Sequence, residues 1–273
     1  MYQIIAYIKF LLKSSNQHGV HSPFVYNLLT KCLYKKEQKK PAFKTIRSYI
    51  KAVRLDNRII SVKDFGAGSR VFKSNERRVS DIAKNAAISK KRALLLNRLT
   101  SYLNIKTALE LGTSLGISST AITAGNPVEL TTLEGCPETA NIAREYFKKF
   151  ELNTISLKVG NFDELLSEEN WNHKIKDATP ALKNQKKQHA LDLIYFDGNH
   201  QKEATLSYFS QLLPLAHNDS VFIFDDIHWS KGMGEAWEEI KAHPRVRVSI
   251  DSFFWGLIFF REEQEKEHFT LRL

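Results

Sequence analysis

The chain has 273 residues, of which 42% are hydrophobic and 26% charged, and its formal net charge is +10. These proportions are typical of a soluble globular protein with one large domain or one domain plus a small extension, and they exclude a disordered or fibrous chain. No apolar run approaches the roughly 18 residues of a membrane-spanning helix. Met1–Leu12 is apolar but has neither a basic start nor a small-residue cleavage site, so we expect no signal peptide. The widely separated Cys32 and Cys136 exclude a disulfide scaffold and favour a reducing, cytoplasmic compartment.

The charge is distributed unevenly along the chain. Residues 1–106 contain 23 Lys and Arg against 5 Asp and Glu, a net charge of +18, whereas the remaining residues carry a net charge of −8. This asymmetry predicts two functional regions, and the basic one favours an anionic partner, such as an acidic small molecule, a membrane surface or a nucleic acid. The alternative is a solvated helical surface, because lysine is a common surface residue. The sequence does not indicate the oligomeric state.

The first hundred residues are mostly typical of helices. Tyr2–Leu12 predicts a short apolar helix, and Ser22 is placed to cap a second helix over Pro23–Leu33, since proline is favoured at the first helical position. Pro41 can begin a third helix after a lysine-rich break. The apolar spacing from Ser80 to Leu103 predicts a helical region that packs on a core.

From Lys106 onward, short apolar strands alternate with helices, which is the pattern of a doubly wound parallel sheet. The seven predicted strands are Thr107–Leu111, Val128–Leu133, Ile155–Val159, Leu191–Phe196, Val221–Phe224, Val246–Ile250 and Phe254–Phe260. The last two strands are too close for a helical crossover, so we expect an antiparallel hairpin. Residues 170–189 are polar and predict an inserted surface loop. The chain is therefore divided into a basic, mainly helical extension over residues 1–95 and an α/β domain over residues 96–273.

A strand that ends in an acid and is followed by two glycines predicts a ligand site. In Glu110-Leu-Gly112-Thr-Ser-Leu-Gly116, a carboxylate ends a strand, one glycine forms the turn and the second begins a helix. Gly112 lets the backbone approach a ligand closely, since a side chain there would collide. The next strand ends at Glu134, 22 residues after Gly112, where a carboxylate can accept hydrogen bonds from both hydroxyls of a ribose. Together these features favour a nucleoside ligand over an ordinary turn with surface acids.

Four segments in this order resemble class I S-adenosylmethionine-dependent methyltransferases: Glu110–Gly116, Thr132–Glu134, Asp192–His200 and Phe224–Asp226. The likeness is greatest to the small-molecule O-methyltransferases of the catechol type and covers about residues 90–273. It implies a Rossmann-like sheet of seven strands that ends in an antiparallel hairpin. It also implies S-adenosylmethionine as the methyl donor and an oxygen of a small molecule as the acceptor, with nitrogen as the less favoured atom.

The resemblance implies a set of cofactor-binding residues. Glu134 would hold the ribose, Asn161 would lie near the adenine amine, and Ser118 would contact the methionine carboxylate. Relatives often place an apolar side chain against adenine where this chain has Gly135, so Phe162 is the predicted substitute for stacking. The whole predicted set is Glu110, Gly112, Thr113, Gly116, Ser118, Glu134, Asn161, Phe162 and Asp197.

Three acids and a histidine are the candidates for the chemistry. Asp197 and Asp225 end neighbouring parallel strands, which places both at the same edge of the sheet. In catechol-type relatives, the positions that match Asp197, Asp225 and Asp226 hold Mg²⁺, which prefers oxygen ligands. His200 stands where those relatives have a lysine base, which puts catechol as the substrate in doubt, although a histidine can take a proton near neutral pH. The sequence thus predicts Asp197 and His200 as catalytic and leaves both a magnesium-dependent and a metal-free reaction open.

Two further motifs resemble functional sites. The segment from Asp64 to Ser69, Asp-Phe-Gly-Ala-Gly-Ser, resembles the same glycine motif, but an arginine-rich stretch follows it instead of an apolar helix. We therefore predict a flexible turn, with a lid over the substrate pocket as the alternative. His18 and His21 resemble a metal-binding pair, but two histidines without further ligands are more often capping or packing residues.

Three other functions compete with a small-molecule methyltransferase. A nucleic-acid methyltransferase would use the basic region, but the chain lacks a basic stripe interleaved with aromatic residues and an Asn-Pro-Pro-Tyr-like sequence. A non-catalytic nucleoside-binding protein of the same fold is disfavoured by the acids Asp197, Asp225 and Asp226. A nicotinamide oxidoreductase is disfavoured because the glycine spacing is not Gly-x-Gly-x-x-Gly.

Overall fold

The computed structural model describes residues 2–35, 41–63, 74–167 and 190–273. The predicted turn at residues 64–69 and the predicted loop at residues 170–189 lie outside the described residues.

Five described helices precede the central sheet: α1 (Tyr2–Lys13), α2 (Pro23–Leu28), α3 (Pro41–Arg54), α4 (Val79–Asn85) and α5 (Lys90–Tyr102). Ser22 caps α2 as predicted, because its hydroxyl accepts a hydrogen bond from the backbone N–H of Val25. The chain then continues through a π-helical turn to Leu33. The helical region predicted from Ser80 is divided into α4 and α5, since Ser89 accepts the backbone N–H of Arg92 and begins a new helix.

The described strands form two sheets. They are β1 (Ile59–Ser61), β2 (Glu76–Arg78), β3 (Thr107–Leu111), β4 (Glu129–Glu134), β5 (Ile155–Val159), β6 (Leu191–Phe196), β7 (Ala216–Asp225), β8 (Val248–Asp251), β9 (Trp255–Phe259) and β10 (Glu267–Thr270). Strands β1 and β2 form a small antiparallel pair, and the other eight form the central sheet in the order β10-β8-β9-β7-β6-β3-β4-β5. All neighbours are parallel except β9, which is antiparallel to both β7 and β8. The predicted hairpin is therefore confirmed, and β10 adds an eighth strand to the predicted seven.

Helices cover both faces of the central sheet. The remaining helices are α6 (Ile117–Thr123), α7 (Pro137–Lys149), α8 (Phe162–Leu165), α9 (Lys202–Leu212) and α10 (Lys231–Ala242). Side chains of β3 alternate between the faces: Ala108 is buried with α3, α5, α6 and α7, whereas Leu109 and Leu111 are buried with α9 and α10. This is the two-sided burial expected of a doubly wound parallel sheet.

The order of strands places a crevice beside β3. From β3 the chain winds outward through β4 to β5, and it then returns to β6 on the other side of β3. The loops after β3 and β6 consequently diverge at the carboxyl edge of the sheet, which is where open α/β sheets bind ligands.

The N-terminal helices pack directly on the α/β part of the chain. The side-chain amide of Asn97 in α5 donates to the carbonyl oxygens of Ala121 and Ala124, at 2.9 and 2.8 Å, and so closes the end of α6. Side chains of α2 to α5 belong to the same buried cluster as those of the sheet. The division of the chain at residues 95 and 96 stays a prediction.

The two ends of the described chain also meet. The backbone N–H of Ser15 donates to the carbonyl of Thr270 at 2.9 Å, beside a parallel bridge between Ser15 and Leu271. The hydroxyl of Tyr34 donates to the carbonyl of Arg272 at 2.8 Å, across 238 residues of sequence. The segment after α1 thus extends the edge of the sheet next to β10.

Helix α1 has two apolar sides. On one side, the rings of Tyr7 and Phe10 pack against Phe253, with centroid distances of 4.8 and 5.5 Å. The other side carries an exposed stripe of large apolar residues, namely Ile4, Ile5, Ile8, Leu11 and Leu12. Among the described residues, no helix is both long enough and apolar enough to cross a membrane.

Candidate active site

The turn between β3 and α6 is shaped by its two glycines. Gly112 has a φ of +103°, and a Cβ there would collide with the backbone carbonyl of Asp197 at the end of β6. The backbone at Gly112 thus approaches the neighbouring strand closely, and the close approach to a ligand predicted for it stays a prediction. Gly116 has a φ of +74° and precedes α6, where a Cβ would collide with the ring of Phe147 and lie 2.7 Å from the hydroxyl of Tyr49. Both positions require a residue without a side chain.

Glu110 lies behind this turn in a fully buried polar network. Its Oε2 accepts hydrogen bonds from the hydroxyls of Ser119 and, at 2.6 Å, Thr132. Its Oε1 has no partner among the described residues. Burial raises the pKa of Glu110 to about 7, although the nearby hydroxyls of Ser118, Ser119 and Thr132 oppose this shift. Glu110 consequently supports the turn from behind and is close to half-protonated at neutral pH.

Glu134 is held rigidly at the end of β4. Its Oε2 accepts the backbone N–H of Ser114 at 2.7 Å, and its Oε1 accepts the backbone N–H of Cys136 at 2.8 Å. These bonds join the turn after β3 to the turn after β4 and fix the direction of the carboxylate. Because each carboxylate oxygen can accept more than one hydrogen bond, Glu134 keeps capacity for a polyhydroxylated ligand.

A cavity of about 440 Å³ opens at this edge of the sheet. Eight predicted site residues line it: Gly112, Glu134, Asn161, Phe162, Asp197, His200, Asp225 and Asp226. The other four predicted residues, Glu110, Thr113, Gly116 and Ser118, are not among its lining residues. Thr113 and Ser118 are buried, and the hydroxyl of Thr113 lies 2.6 Å from that of Thr132. The predicted contact of Ser118 with a methionine carboxylate stays a prediction.

Asn161 and Phe162 form one wall of the cavity. The side-chain oxygen of Asn161 accepts the backbone N–H of Asp163 at 3.0 Å and caps the short helix α8. The ring of Phe162 contacts Tyr208 edge to face at a centroid distance of 5.9 Å and packs against Gly198. The contact of Asn161 with the adenine amine and the stacking of Phe162 on adenine stay predictions. Phe162 presents the aromatic surface that stacking needs.

The acidic residues that line the cavity are accompanied by an arginine. Nη1 of Arg92 lies 2.7 Å from Oδ1 of Asp225, whose side chain is 5% exposed. The carboxyl groups of Asp197 and Asp225 lie within hydrogen-bonding reach, and burial together with the neighbouring carboxylates raises the pKa of Asp197 well above its usual range. Asp225 is paired with the guanidinium of Arg92.

This arrangement does not fit a magnesium ion. Mg²⁺ demands several oxygen ligands at 2.0–2.1 Å in octahedral geometry. An ion bound to Oδ1 of Asp225 would lie beside the guanidinium of Arg92, and two cations at such short range repel each other. Within the described ranges, no group of three or more His, Cys, Asp and Glu side chains is arranged to hold a metal ion. His18 and His21 are exposed, and the described residues place no metal-binding group around them.

Comparison with known proteins agrees with this fold. Residues 109–227 match the family described as "Methyltransferase domain". The chain contains a methyltransferase domain. The resemblance to methyltransferases that the sequence indicates is confirmed over these residues. No curated protein sequence matches the chain.

Solved structures of methyltransferases share the architecture. An O-methyltransferase from Bacillus cereus, in complex with SAH, has a TM-score of 0.53 at 18% identity, over 82% of this chain and 93% of its own. TomG from Streptomyces achromogenes, an O-methyltransferase in complex with SAM, has a TM-score of 0.54 at 14% identity, over 84% and 93%. PaMTH1 from Podospora anserina, bound to SAH, has a TM-score of 0.56 at 15% identity, over 89% and 97%. At these identities the likeness shows a common fold.

Several residues of the methyltransferase cavity were not predicted. Arg92, Ser114, Tyr208 and Trp229 all line it. Arg92 is separated from Asp225 by 133 residues, and only the folded chain brings the first turn of α5 to the end of β7. The one local signal was Ser89, whose capping of α5 fixes where the first turn of that helix begins.

Proposed function

We propose that this methyltransferase transfers a methyl group from S-adenosylmethionine to an oxygen of a small molecule. The observation that carries the proposal is a shared cavity at the carboxyl edge of the sheet. It is lined by Glu134 and Phe162, which suit a nucleoside, and by Asp197, His200 and Asp225, which suit a polar acceptor. A donor and an acceptor bound there together would face each other.

Alignment is the main source of rate enhancement in the proposed reaction. S-adenosylmethionine supplies a methyl group on a positively charged sulfur, which an acceptor oxygen attacks as the carbon–sulfur bond breaks and its electron pair stays on sulfur. Glu134 holds the ribose, and Asn161 and Phe162 border the adenine. His200 takes the proton of an acceptor hydroxyl. Holding the two reactants in a near-attack geometry removes much of the entropic part of the barrier.

A panel assay tests this function. Methyl transfer from S-adenosylmethionine is measured to phenols, hydroxylated acids and short RNA and DNA, with wild type, His200→Gln and His18→Gln. We expect methylation of at least one small hydroxylated compound, a large loss of kcat in His200→Gln, and no change in His18→Gln, whose histidine is exposed. Methylation of nucleic acid alone would support the alternative acceptor. Binding of S-adenosylmethionine without transfer to any acceptor in the panel would favour a non-catalytic nucleoside-binding protein.

We also propose that the basic N-terminal region brings the enzyme to an anionic partner in the cytoplasm. Among the partners that the charge of this region favours, a membrane surface best suits helix α1. Its exposed apolar stripe, Ile4, Ile5, Ile8, Leu11 and Leu12, is accompanied by Lys9 and Lys13. An apolar face beside basic residues is the pattern of a helix that lies in the surface of an anionic membrane.

A further inference from the structure

The acids that line the cavity already have a cation of the protein beside them. Arg92 lies in the first turn of α5, where its backbone N–H donates to the hydroxyl of Ser89. Its side chain is 25% exposed, its Nη1 lies 2.7 Å from Oδ1 of Asp225, and its guanidinium lies 5.1 Å from the centroid of the Phe254 ring. Three independent contacts thus hold Arg92 in one place against the acids.

The charges around Arg92 favour a permanent cation at this point. Burial is the largest influence and lowers the pKa of the Arg92 guanidinium, but Asp225, Tyr195, Asp226 and Asp197 together outweigh it, and the pKa is raised. A guanidinium has five N–H donors in a planar fork. One of them is used by Asp225, and the side chain lines the cavity.

We propose that Arg92 takes the place of a divalent cation in this enzyme: it neutralises Asp225 and donates hydrogen bonds to a negatively charged acceptor oxygen, a phenolate or a carboxylate. Methyl transfer then proceeds without a metal ion. The inference rests on the proposed function for its acceptor, but the competition between Arg92 and a metal ion for Asp225 is independent of any activity.

The first test measures metal binding without a substrate. Mn²⁺ is the probe, followed by its electron paramagnetic resonance signal, with wild type, Arg92→Met and Lys90→Met. Lys90→Met is the matched control. Lys90 is exposed in the same helical turn, and its replacement by Met removes the same single positive charge. We expect no binding tighter than millimolar in wild type and in Lys90→Met. Arg92→Met is expected to bind Mn²⁺ at least tenfold more tightly, because Asp225 and its neighbours lose their cation.

Two results of this test would overturn the proposal. One is a stoichiometric, micromolar Mn²⁺ site in wild type. The other is a folded Arg92→Met protein whose Mn²⁺ affinity equals that of Lys90→Met. The wild-type measurement needs no variant. It therefore shows whether the native protein has a micromolar Mn²⁺ site even where Arg92→Met does not fold.

The second test uses whichever acceptor the panel assay identifies. Wild type is expected to keep its kcat, within twofold, in excess chelator and in added Mg²⁺. Arg92→Lys keeps the charge but loses the planar fork, and we expect it to raise KM for an anionic acceptor at least tenfold while S-adenosylmethionine affinity stays unchanged. Loss of wild-type activity in chelator, restored by Mg²⁺, would overturn the proposal. Failure of S-adenosylmethionine to bind would instead reject the proposed function and leave the Mn²⁺ result standing.

Discussion

The hydroxyl of Tyr49 donates a hydrogen bond of 2.8 Å to the backbone carbonyl of Leu115. Tyr49 belongs to α3 in the basic N-terminal region, whereas Leu115 belongs to the turn between β3 and α6, of which Gly112 and Ser114 line the cavity. The bond is buried, and the same hydroxyl lies where a side chain at Gly116 would have to be. The N-terminal region therefore supports the turn from the side opposite the cavity.

Replacing Tyr49 by Phe is expected to weaken both folding and donor binding. The carbonyl of Leu115 loses its buried partner, which costs about 1–3 kcal/mol of the free energy of unfolding. A turn that is less well held should also bind S-adenosylmethionine more weakly, by severalfold. Chemical denaturation and calorimetric titration measure the two effects.

Tyr146→Phe is the control for this substitution. The hydroxyl of Tyr146 lies 3.1 Å from a carboxylate oxygen of Asp56 and 3.3 Å from the carbonyl of Ala52, away from the turn. We expect it to lower stability without changing donor affinity. Equal affinities in both variants would show that Tyr49 has no influence on the site.

Gly116→Ala and Gly232→Ala should change stability in opposite directions. At Gly116, the positive φ and the collision with Phe147 predict a loss of about 2–4 kcal/mol in the free energy of unfolding. Gly232 lies in the first turn of α10, where an added Cβ would meet its nearest neighbour, Lys202, at 3.4 Å. Alanine there should stabilise the helix by up to about 1 kcal/mol. Thermal unfolding of wild type and both variants measures these changes. A Gly116→Ala variant as stable as wild type would contradict the described conformation of the turn.

Glu110 should make the enzyme without its donor less stable as the pH rises. Its pKa is raised from 4.5 to about 7 in the folded state, so its stabilising contribution is complete below pH 4.5 and is lost as the pH approaches 7. The loss amounts to about 3 kcal/mol, taking 1.36 kcal/mol for each unit. Glu110→Gln cannot ionise, so we expect it to match wild type near pH 5 and to exceed its stability near pH 8.

Denaturation curves between pH 5 and 8 measure this difference. Glu129→Gln is the control, because Glu129 is exposed at the opposite end of the neighbouring strand β4. Parallel pH profiles for wild type and Glu110→Gln would mean that the buried carboxyl ionises as easily in the folded as in the unfolded chain.

Glu134→Ala should reduce the affinity for S-adenosylmethionine. A lost hydrogen bond to a charged group costs on the order of 1.5–3 kcal/mol, which is about 10- to 150-fold in Kd. Glu138→Ala, an exposed acid in the first turn of α7, is expected to bind as wild type does. Calorimetry compares the three proteins. Unchanged affinity in Glu134→Ala, or tighter binding of a nicotinamide dinucleotide, would reject the ribose assignment.

The stripe on α1 should bind anionic vesicles. Cosedimentation with phosphatidylcholine vesicles containing phosphatidylglycerol is expected for wild type, and binding should fall at least tenfold in the Ile4→Asn, Ile8→Asn double variant. Leu55→Asn is the control, since Leu55 is exposed but lies outside α1. Equal binding by all three proteins would remove α1 from the membrane proposal, and binding to RNA with a steep salt dependence would favour nucleic acid.

The features that the sequence predicted well are those with local causes. The alternation of strands and helices from β3 to β9 follows from apolar periodicity and from turn residues, and the hairpin follows from the short distance between β8 and β9. The capping of α2 by Ser22 is also local. Strand β10 was missed because its four residues, Glu267–Thr270, include charged and polar side chains and depend on pairing with β8 for their conformation.

Within the site, too, the residues with local causes were predicted and those that depend on tertiary packing were not. Glu134 and Asp197 end strands that the sequence identifies, so their meeting at one edge follows from parallel topology. Arg92 reaches Asp225 because α5 packs on the sheet in one particular orientation. No pattern in the sequence indicates that orientation. The same is true of Glu110, whose burial, and hence its raised pKa, depends on α6 covering it.

The hydrogen bond between Ser15 and Thr270 affects how the chain folds while it is being synthesised. During synthesis the segment after α1 leaves the ribosome long before β10 exists, so its edge partner is missing while the intervening residues emerge. Tyr34 likewise lacks its hydrogen-bond acceptor until Arg272 has been synthesised, 238 residues later. Contacts between such distant segments form slowly because a long loop must close first. During that interval the apolar residues of α1 and α2 lack part of their cover, and the growing chain is most exposed to aggregation and to proteases.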